Sequence, residues 1–145
     1  MTTIRQILAG KPDIYSIEPD ATVLDALRLL EQKNVGALLV MRGGVLSGIF
    51  SERDYARRMI LHVRSSKETK VREVMTPDVF VISPDTTSGE CMVHMTDRHI
   101  RHLPVVEGGR VVGVISIGDM VNWIITAHEE TIGHLQSYIA GQYPG

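Results

Sequence analysis

Displacing the chain by 65 residues lays residues 14–60 over residues 79–125 without a gap. Ile17, Pro19, Asp20 and Thr22 fall on Ile82, Pro84, Asp85 and Thr87; Leu38, Val40, Gly43 and Gly44 fall on Leu103, Val105, Gly108 and Gly109. Gly48, Ser51 and Asp54 then meet Gly113, Ser116 and Asp119. These identities gather at turn and cap positions, as expected of a duplicated structural unit. Whatever one half folds into, the other must fold into as well. Halves this short bury little core alone, so they are expected to pack on each other.

Each half reads the same way. A short strand (Tyr15–Ile17, Phe80–Ile82) runs into Pro-Asp, and then into Thr22-x-x-Asp25 or Thr87-x-x-Glu90. That spacing marks a capping box, in which hydroxyl and carboxylate satisfy the orphan amides of a helix start. A first helix follows, carrying Val23, Ala26, Leu27 and Leu30 in one repeat and Cys91, Met92 and Met95 in the other. Two β-rich runs separated by Gly-Gly come next, and Gly-Gly between such runs predicts a hairpin, because primed turns need positive φ. Gly48 is read with Gly43 and Gly44 as a hairpin glycine. A second helix is predicted to start at Ser51 and at Ser116. The unit is β-α-β-β-α, used twice, in an α/β (α+β) fold: residues 1–65 with a lead-in segment, residues 66–125, and a helical tail over 126–145.

Composition narrows the function classes. The chain of 145 residues is 43% apolar and 22% charged, an ordinary globular balance. Its formal net charge of -2 gives no overall basic footprint for nucleic acid. The single Cys91 excludes an internal disulfide and points to a reducing compartment. The start lacks a signal-peptide pattern, and no apolar run approaches the ~18 residues of a membrane span. A soluble cytoplasmic protein, off the membrane, is expected.

The order of motifs resembles a tandem pair of CBS (cystathionine-β-synthase) domains over roughly residues 4–125. The matching features are Val71-Arg72-Glu73-Val74-Met75-Thr76, Pro-Asp-x-Thr before each first helix, Arg101-His102-Leu103-Pro104-Val105-Val106, Gly113-Val114-Ile115-Ser116 and the two Ser-x-x-Asp sites. The resemblance implies two repeats packed about a pseudo-twofold axis, with two clefts between them. It further implies a non-catalytic, signal-transducing regulatory module for adenosine-containing ligands: AMP, ADP, ATP, NAD or S-adenosylmethionine. The aspartate would hold the ribose hydroxyls, apolar side chains would sandwich the adenine, and basic side chains of the other repeat would meet phosphates.

Carried over position by position, one cleft combines Ser51, Asp54 and Thr76 with Phe80, Val81 and Ile100, and adds Arg101, His102, Arg53 and Arg57. The other combines Ser116, Asp119 and Val114 with Tyr15, Ser16, Val35 and Gly36, and adds Lys11. Arg101-His102 is replaced by Gly36-Ala37 in the first repeat, so the cleft at Asp54 is expected to be the stronger nucleotide site. Spacing alone also allows a plain reading of Ser-x-x-Asp, with serine at N-cap and aspartate at N3; the two roles can coexist.

Nothing in the sequence points to an enzyme. Of His94, His99 and His102 only His102 falls on the ligand-facing run, and His94 to His99 does not fit the i, i+3 or i+4 spacing of helical metal ligands, so no metal site is expected. Ser51 and Ser116 follow Gly-x-x-Ser, not the nucleophile elbow. Cys91, on an apolar helix face, reads as an inert core thiol. The tail, with Ile124, Ala127, Ile132, Leu135 and Ile139 in an interrupted stripe, either folds back on its own subunit or supports a homodimer or an unidentified regulated partner. A ligand-free dimerisation scaffold on the same fold is the competing reading.

Overall fold

The computed structural model describes residues 2–9, 14–62 and 64–127. In chain order these form α1 (Ile4–Leu8), β1 (Ser16–Ile17), α2 (Val23–Lys33), β2 (Ala37–Arg42) and β3 (Val45–Ser51). There follow α3 (Glu52–Asp54), continued by a wider π-helical stretch (Tyr55–Ile60), then α4 (Val71–Val74), α5 (Ser88–Arg98), β4 (His102–Glu107) and β5 (Arg110–Ser116). A last helix, α6, covers residues 117–127. The helices and small sheets recur twice, as the repeat requires. Residues 128–145, most of the expected helical tail, lie outside the described residues.

Local chemistry explains the elements. Thr22 and Thr87 hydroxyls accept from the N–H groups of Asp25 (3.1 Å) and Glu90 (3.2 Å), starting α2 and α5. Both helices end on a left-handed residue, Asn34 and His99, each with φ 52. The hairpins turn on Gly43-Gly44 and Gly108-Gly109, all at positive φ. Register runs Ala37↔Ser51 to Arg42↔Val45 in one hairpin and His102↔Ser116 to Glu107↔Arg110 in the other.

The lead-in helices change partners. Ile4 of α1 is fully buried with Ile82, Cys91, Met95, Leu103 and Ile115 of the second repeat, whereas Val71 and Val74 of α4 join the first repeat's core around Leu38 and Phe50. The backbone repeats the exchange. Ile4 and Arg5 N–H groups donate to the carbonyls of Thr86 (2.8 Å) and Pro84 (2.9 Å); those of Val71 and Arg72 donate to Ala21 (2.8 Å) and Pro19 (2.9 Å). Along the chain α1 precedes the first repeat; in space it completes the second. This reciprocal clamp joins two small cores into one fold about the pseudo-twofold axis.

Gly48 and Gly113 sit where those lead-ins cross the sheets. Neither is a turn residue: Gly48 pairs with Val40 and Gly113 with Val105, inside the strands. A Cβ on Gly48 would stand 2.6 Å from Met75 Sδ and 2.8 Å from the Thr76 carbonyl; one on Gly113 would meet Leu8 methyls at 2.9 Å. Close approach of a second segment, rather than a bend, is what demands glycine here.

The first strand of the second repeat is shorter than expected. In the first repeat β1 pairs in parallel with β2, and Leu39 N–H donates to the Tyr15 carbonyl (3.1 Å). The residue equivalent to Leu39 is Pro104, which has no N–H to give Phe80. Only Ile82 is left pairing, through its N–H to Pro104 (3.0 Å) and its carbonyl from Val106 (2.8 Å).

Candidate functional site

Two clefts open between the repeats, at equivalent places. The smaller, about 390 Å³, lies at the β3–α3 junction of the first repeat and faces the α5–β4 turn of the second. The larger, about 730 Å³, lies at the β5–α6 junction and faces the α2–β2 turn.

In the smaller cleft the Ser51–Asp54 pair forms a full reciprocal cap. Asp54 Oδ2 accepts from Ser51 N–H (2.9 Å) and Oγ (3.1 Å), and Ser51 Oγ accepts from Asp54 N–H (3.2 Å). Thr76, delivered by the crossing α4 segment, donates its hydroxyl to Asp54 Oδ1 (3.2 Å). The carboxylate is thereby held in one orientation at the cleft wall. Arg58 donates to the carbonyls of Val74 (3.0 Å) and Met75 (2.5 Å), closing the end of α4 behind it. Arg53 and Arg57 line the same cleft beside Ile100, Arg101 and His102. A concave wall lined by Arg53, Arg57, Arg58 and Arg101, with Glu52 and the fixed Asp54 carboxylate, suits a ligand with a polyhydroxyl end and an anionic end.

The larger cleft has the same frame and other chemistry. Ser116 N–H donates to Asp119 Oδ2 (2.7 Å) and Asp119 N–H to Ser116 Oγ (3.0 Å). Tyr15, Val35, Gly36 and Val114 line it, together with His102, whose ring borders both clefts. Where the smaller cleft has Arg53, Arg57 and Arg101, the equivalent positions are Gly118, Asn122 and Gly36. Among the described lining residues no Lys or Arg appears.

Most expected residues thus lie along the two clefts, with exceptions. Phe80 and Val81 are not on the cleft wall: Phe80 packs on α5, its ring 4.8 Å from that of His94 and 3.7 Å from the Arg98 guanidinium carbon, as the Tyr15 ring lies 5.2 Å from Lys33 Nζ of α2, while Val81 is exposed. Ser16 is exposed in β1 and off the cleft wall. Lys11 lies outside the described residues. Sequence reasoning missed Ile49 and His99 in the smaller cleft, and Leu8, Ala9 and Asn34 in the larger. Asn34 and His99 were findable as paired helix C-caps 65 positions apart; Leu8 and Ala9 reach the cleft only through the crossing of α1.

Other candidates stay outside the clefts. Burial pushes the Cys91 thiol up to about 11. Among the described residues no group of three or more His, Cys, Asp or Glu could hold a metal ion, and no helix is long and apolar enough to cross a membrane.

A duplicated α/β unit with crossed lead-ins and two equivalent inter-repeat clefts defines a paired ligand-module fold. The CBS domain family model matches residues 4–61 and 71–126, so the chain belongs to the CBS domain family, with two copies in tandem. It is 43% identical over 129 residues to the CBS domain-containing protein CBSX3, mitochondrial, of Arabidopsis thaliana, an alignment covering 86% of this chain and 63% of that protein's length. A putative signal-transduction protein with CBS domains from Burkholderia ambifaria MC40-6 is 46% identical, with a TM-score of 0.84, covering 86% of this chain and 95% of that one. The fold also matches CBSX2, solved in complex with AMP, at 22% identity and TM-score 0.72, covering 87% of this chain and 98% of that one.

Proposed function

We propose that this chain is a non-catalytic regulatory module that senses an adenosine-containing ligand, drawn from AMP, ADP, ATP, NAD and S-adenosylmethionine. The observation that carries the reading is the smaller cleft: a carboxylate fixed by Ser51 and Thr76, in a cleft lined also by Arg53, Arg57 and Arg101 and by the apolar Ile49 and Ile100. That is the polarity of a ribose with phosphate attached. Charge-assisted bonds of this kind are worth about 1.5–3 kcal/mol each. The AMP held by CBSX2 supports the ligand class. Ligand binding would shift the module between states by its differential affinity for them, and an unidentified regulated protein would read the shift. Thermal-shift screening with the five ligands tests this: a shift by a phosphorylated adenosine supports it, and none with any ligand refutes it. Calorimetry of Asp54→Ala and Asp119→Ala separates the clefts; equal losses of AMP affinity refute a stronger smaller cleft.

Assembly into a homodimer belongs to the same proposal. Ile117, Val121 and Ile125 lie one turn apart on α6 and are all exposed, and Ile60, the counterpart of Ile125, is exposed at the end of the first repeat's second helix. An exposed aliphatic stripe on α6, with Ile60 at the equivalent of Ile125, fits a second copy of the chain better than water. Light scattering on Ile125→Glu is expected to report a monomer; an unchanged mass refutes this face as the interface. A dimer that binds no adenosine ligand would be the scaffold instead. A cytoplasmic setting is also proposed, supported by the free, buried Cys91; fractionation tests it.

A further inference from the structure

We infer that Arg58 is a positioning residue for the smaller cleft: by holding the end of α4 it sets Thr76, and Thr76 sets the Asp54 carboxylate. This deepens the adenosine reading above and rests on it.

Arg58 is half-buried in the π-helical stretch, which begins at the residue after Asp54. Its Nη1 donates to two successive carbonyls, Val74 (3.0 Å) and Met75 (2.5 Å). Those carbonyls stand at the C-terminal end of α4, where no further turn supplies a donor, and a basic side chain is a natural partner for them. The next residue is Thr76. Its backbone is fastened to Ile49 by two hydrogen bonds (2.9 and 3.0 Å), and its hydroxyl donates to Asp54 Oδ1 (3.2 Å). Asp54 Oδ2 already accepts from Ser51 N–H and Oγ. Ser51 therefore holds one carboxylate oxygen from within the helix cap, and Thr76 holds the other from the crossing segment. That segment is anchored by Ile49 on one side and by Arg58 on the other.

The other guanidinium groups of the cleft differ. Arg53, Arg57 and Arg101 are exposed, whereas Arg58 has its Nη1 engaged by backbone carbonyls. The second repeat lacks the parts for the same relay. Equivalent backbone bonds make Ile4 the counterpart of Val71, and hence Ala9 the counterpart of Thr76. Displacement by 65 residues puts Trp123 at the place of Arg58. Ala9 has no hydroxyl and Trp123 no guanidinium, so this relay cannot be built there.

NMR titration of the full chain with AMP and with adenosine tests the inference. Binding is followed on the Ile49 and Ile100 methyl signals, which line the smaller cleft and not the larger. Adenosine lacks the phosphate but keeps the ribose hydroxyls that Asp54 would hold. Arg58→Ala is expected to weaken both ligands about fivefold, and by factors that agree within about twofold, as for partners in one hydrogen-bond network. Thr76→Val is expected to do the same, and adding Arg58→Ala to it costs less than about a further twofold. Thr76→Ser, which keeps the hydroxyl, keeps the affinity. Should Arg58→Ala not fold, Arg58→Gln, which keeps much of the stem but falls short of both carbonyls, is read in the same way. A loss confined to AMP overturns the inference by making Arg58 a phosphate contact. Unchanged affinities overturn it, as do fully additive losses from Arg58→Ala and Thr76→Val. The Asp54 carboxyl carbon signal reads the relay without ligand: it shifts in Thr76→Val and in the same direction in Arg58→Ala, and a signal unmoved by Arg58→Ala overturns the inference. If neither probe binds the unmodified protein, the adenosine reading fails, and the carboxyl signal alone decides the relay.

Discussion

Replacing Gly48 and Gly113 by alanine, one at a time, measures the crossing of the lead-in segments. The two positions are equivalent in the repeat, yet they face different atoms. At Gly48 the new Cβ meets a backbone carbonyl, Thr76 O at 2.8 Å, and Met75 Sδ at 2.6 Å. The carbonyl cannot rotate away, because Thr76 exchanges two backbone hydrogen bonds with Ile49 (2.9 and 3.0 Å). Overpacking costs about 1–3 kcal/mol. Shifting Thr76 weakens two hydrogen bonds worth about 0.5–1.5 kcal/mol each. Loss of glycine's freedom in the unfolded chain offsets about 0.4–1 kcal/mol. The net expectation for Gly48→Ala is a loss of about 2–4 kcal/mol. At Gly113 the clash is with the two methyl ends of Leu8, which a rotamer change relieves. Gly113→Ala should therefore cost about 1 kcal/mol or less, from the same principles. Urea unfolding followed by far-UV circular dichroism gives both values. Since Thr76 also orients Asp54, Gly48→Ala should weaken AMP binding at the smaller cleft and leave the larger one unaffected. Equal losses at the two glycines, or a Gly48→Ala protein as stable as its parent, would refute the crossing argument.

Three further outcomes follow from the electrostatics and the caps. Arg5 hydrogen-bonds Glu107 and reaches Asp85, which holds the Glu107 carboxyl below its ordinary value; a depressed carboxyl stabilises the fold above its unfolded pKa and loses that contribution as pH falls through the folded one. Carboxyl NMR should therefore find Glu107 titrating below 4.5 and returning toward it in Arg5→Gln; an unchanged titration contradicts the ion pair. Cys91, held protonated by burial to about 11, should react with a thiol reagent at pH 8 only at the rate of unfolding, and its contribution to stability should persist below the free thiol's pKa and fade as pH rises toward 11; prompt labelling of the folded protein would show the thiol accessible. Thr22→Ala and Thr87→Ala each remove an N-cap and should each cost about 1 kcal/mol in urea unfolding, with a loss under a few tenths at either site counting against the cap.

Much was legible because the chain states it twice. Pro-Asp-x-Thr, Gly-Gly and Ser-x-x-Asp are local signals, and each produced its turn or N-cap in both halves, although Thr22 and Thr87 cap through the hydroxyl alone, without the reciprocal carboxylate bond of the expected capping box. The contrast between Arg101-His102 and Gly36-Ala37 also stood in the sequence; Arg101 lines the smaller cleft and Ala37 the larger, while His102 and Gly36 border both.

Three things awaited the tertiary structure. Periodicity cannot say which core a lead-in helix fills, and only packing put Ile4 with Cys91 and Val71 with Phe50. Gly48 read as a turn glycine until Met75 and Thr76 were seen against it. Pro104 was visible as a proline, but its effect depends on register: it lies where Leu39 bonds Tyr15, so its missing N–H leaves the second repeat's first strand shorter. Sequence by itself determined the repeated unit, its caps and its turns, because those forces act within a few residues. Which segments meet across the pseudo-twofold axis, and that His102 lines both clefts, was decided only by long-range packing.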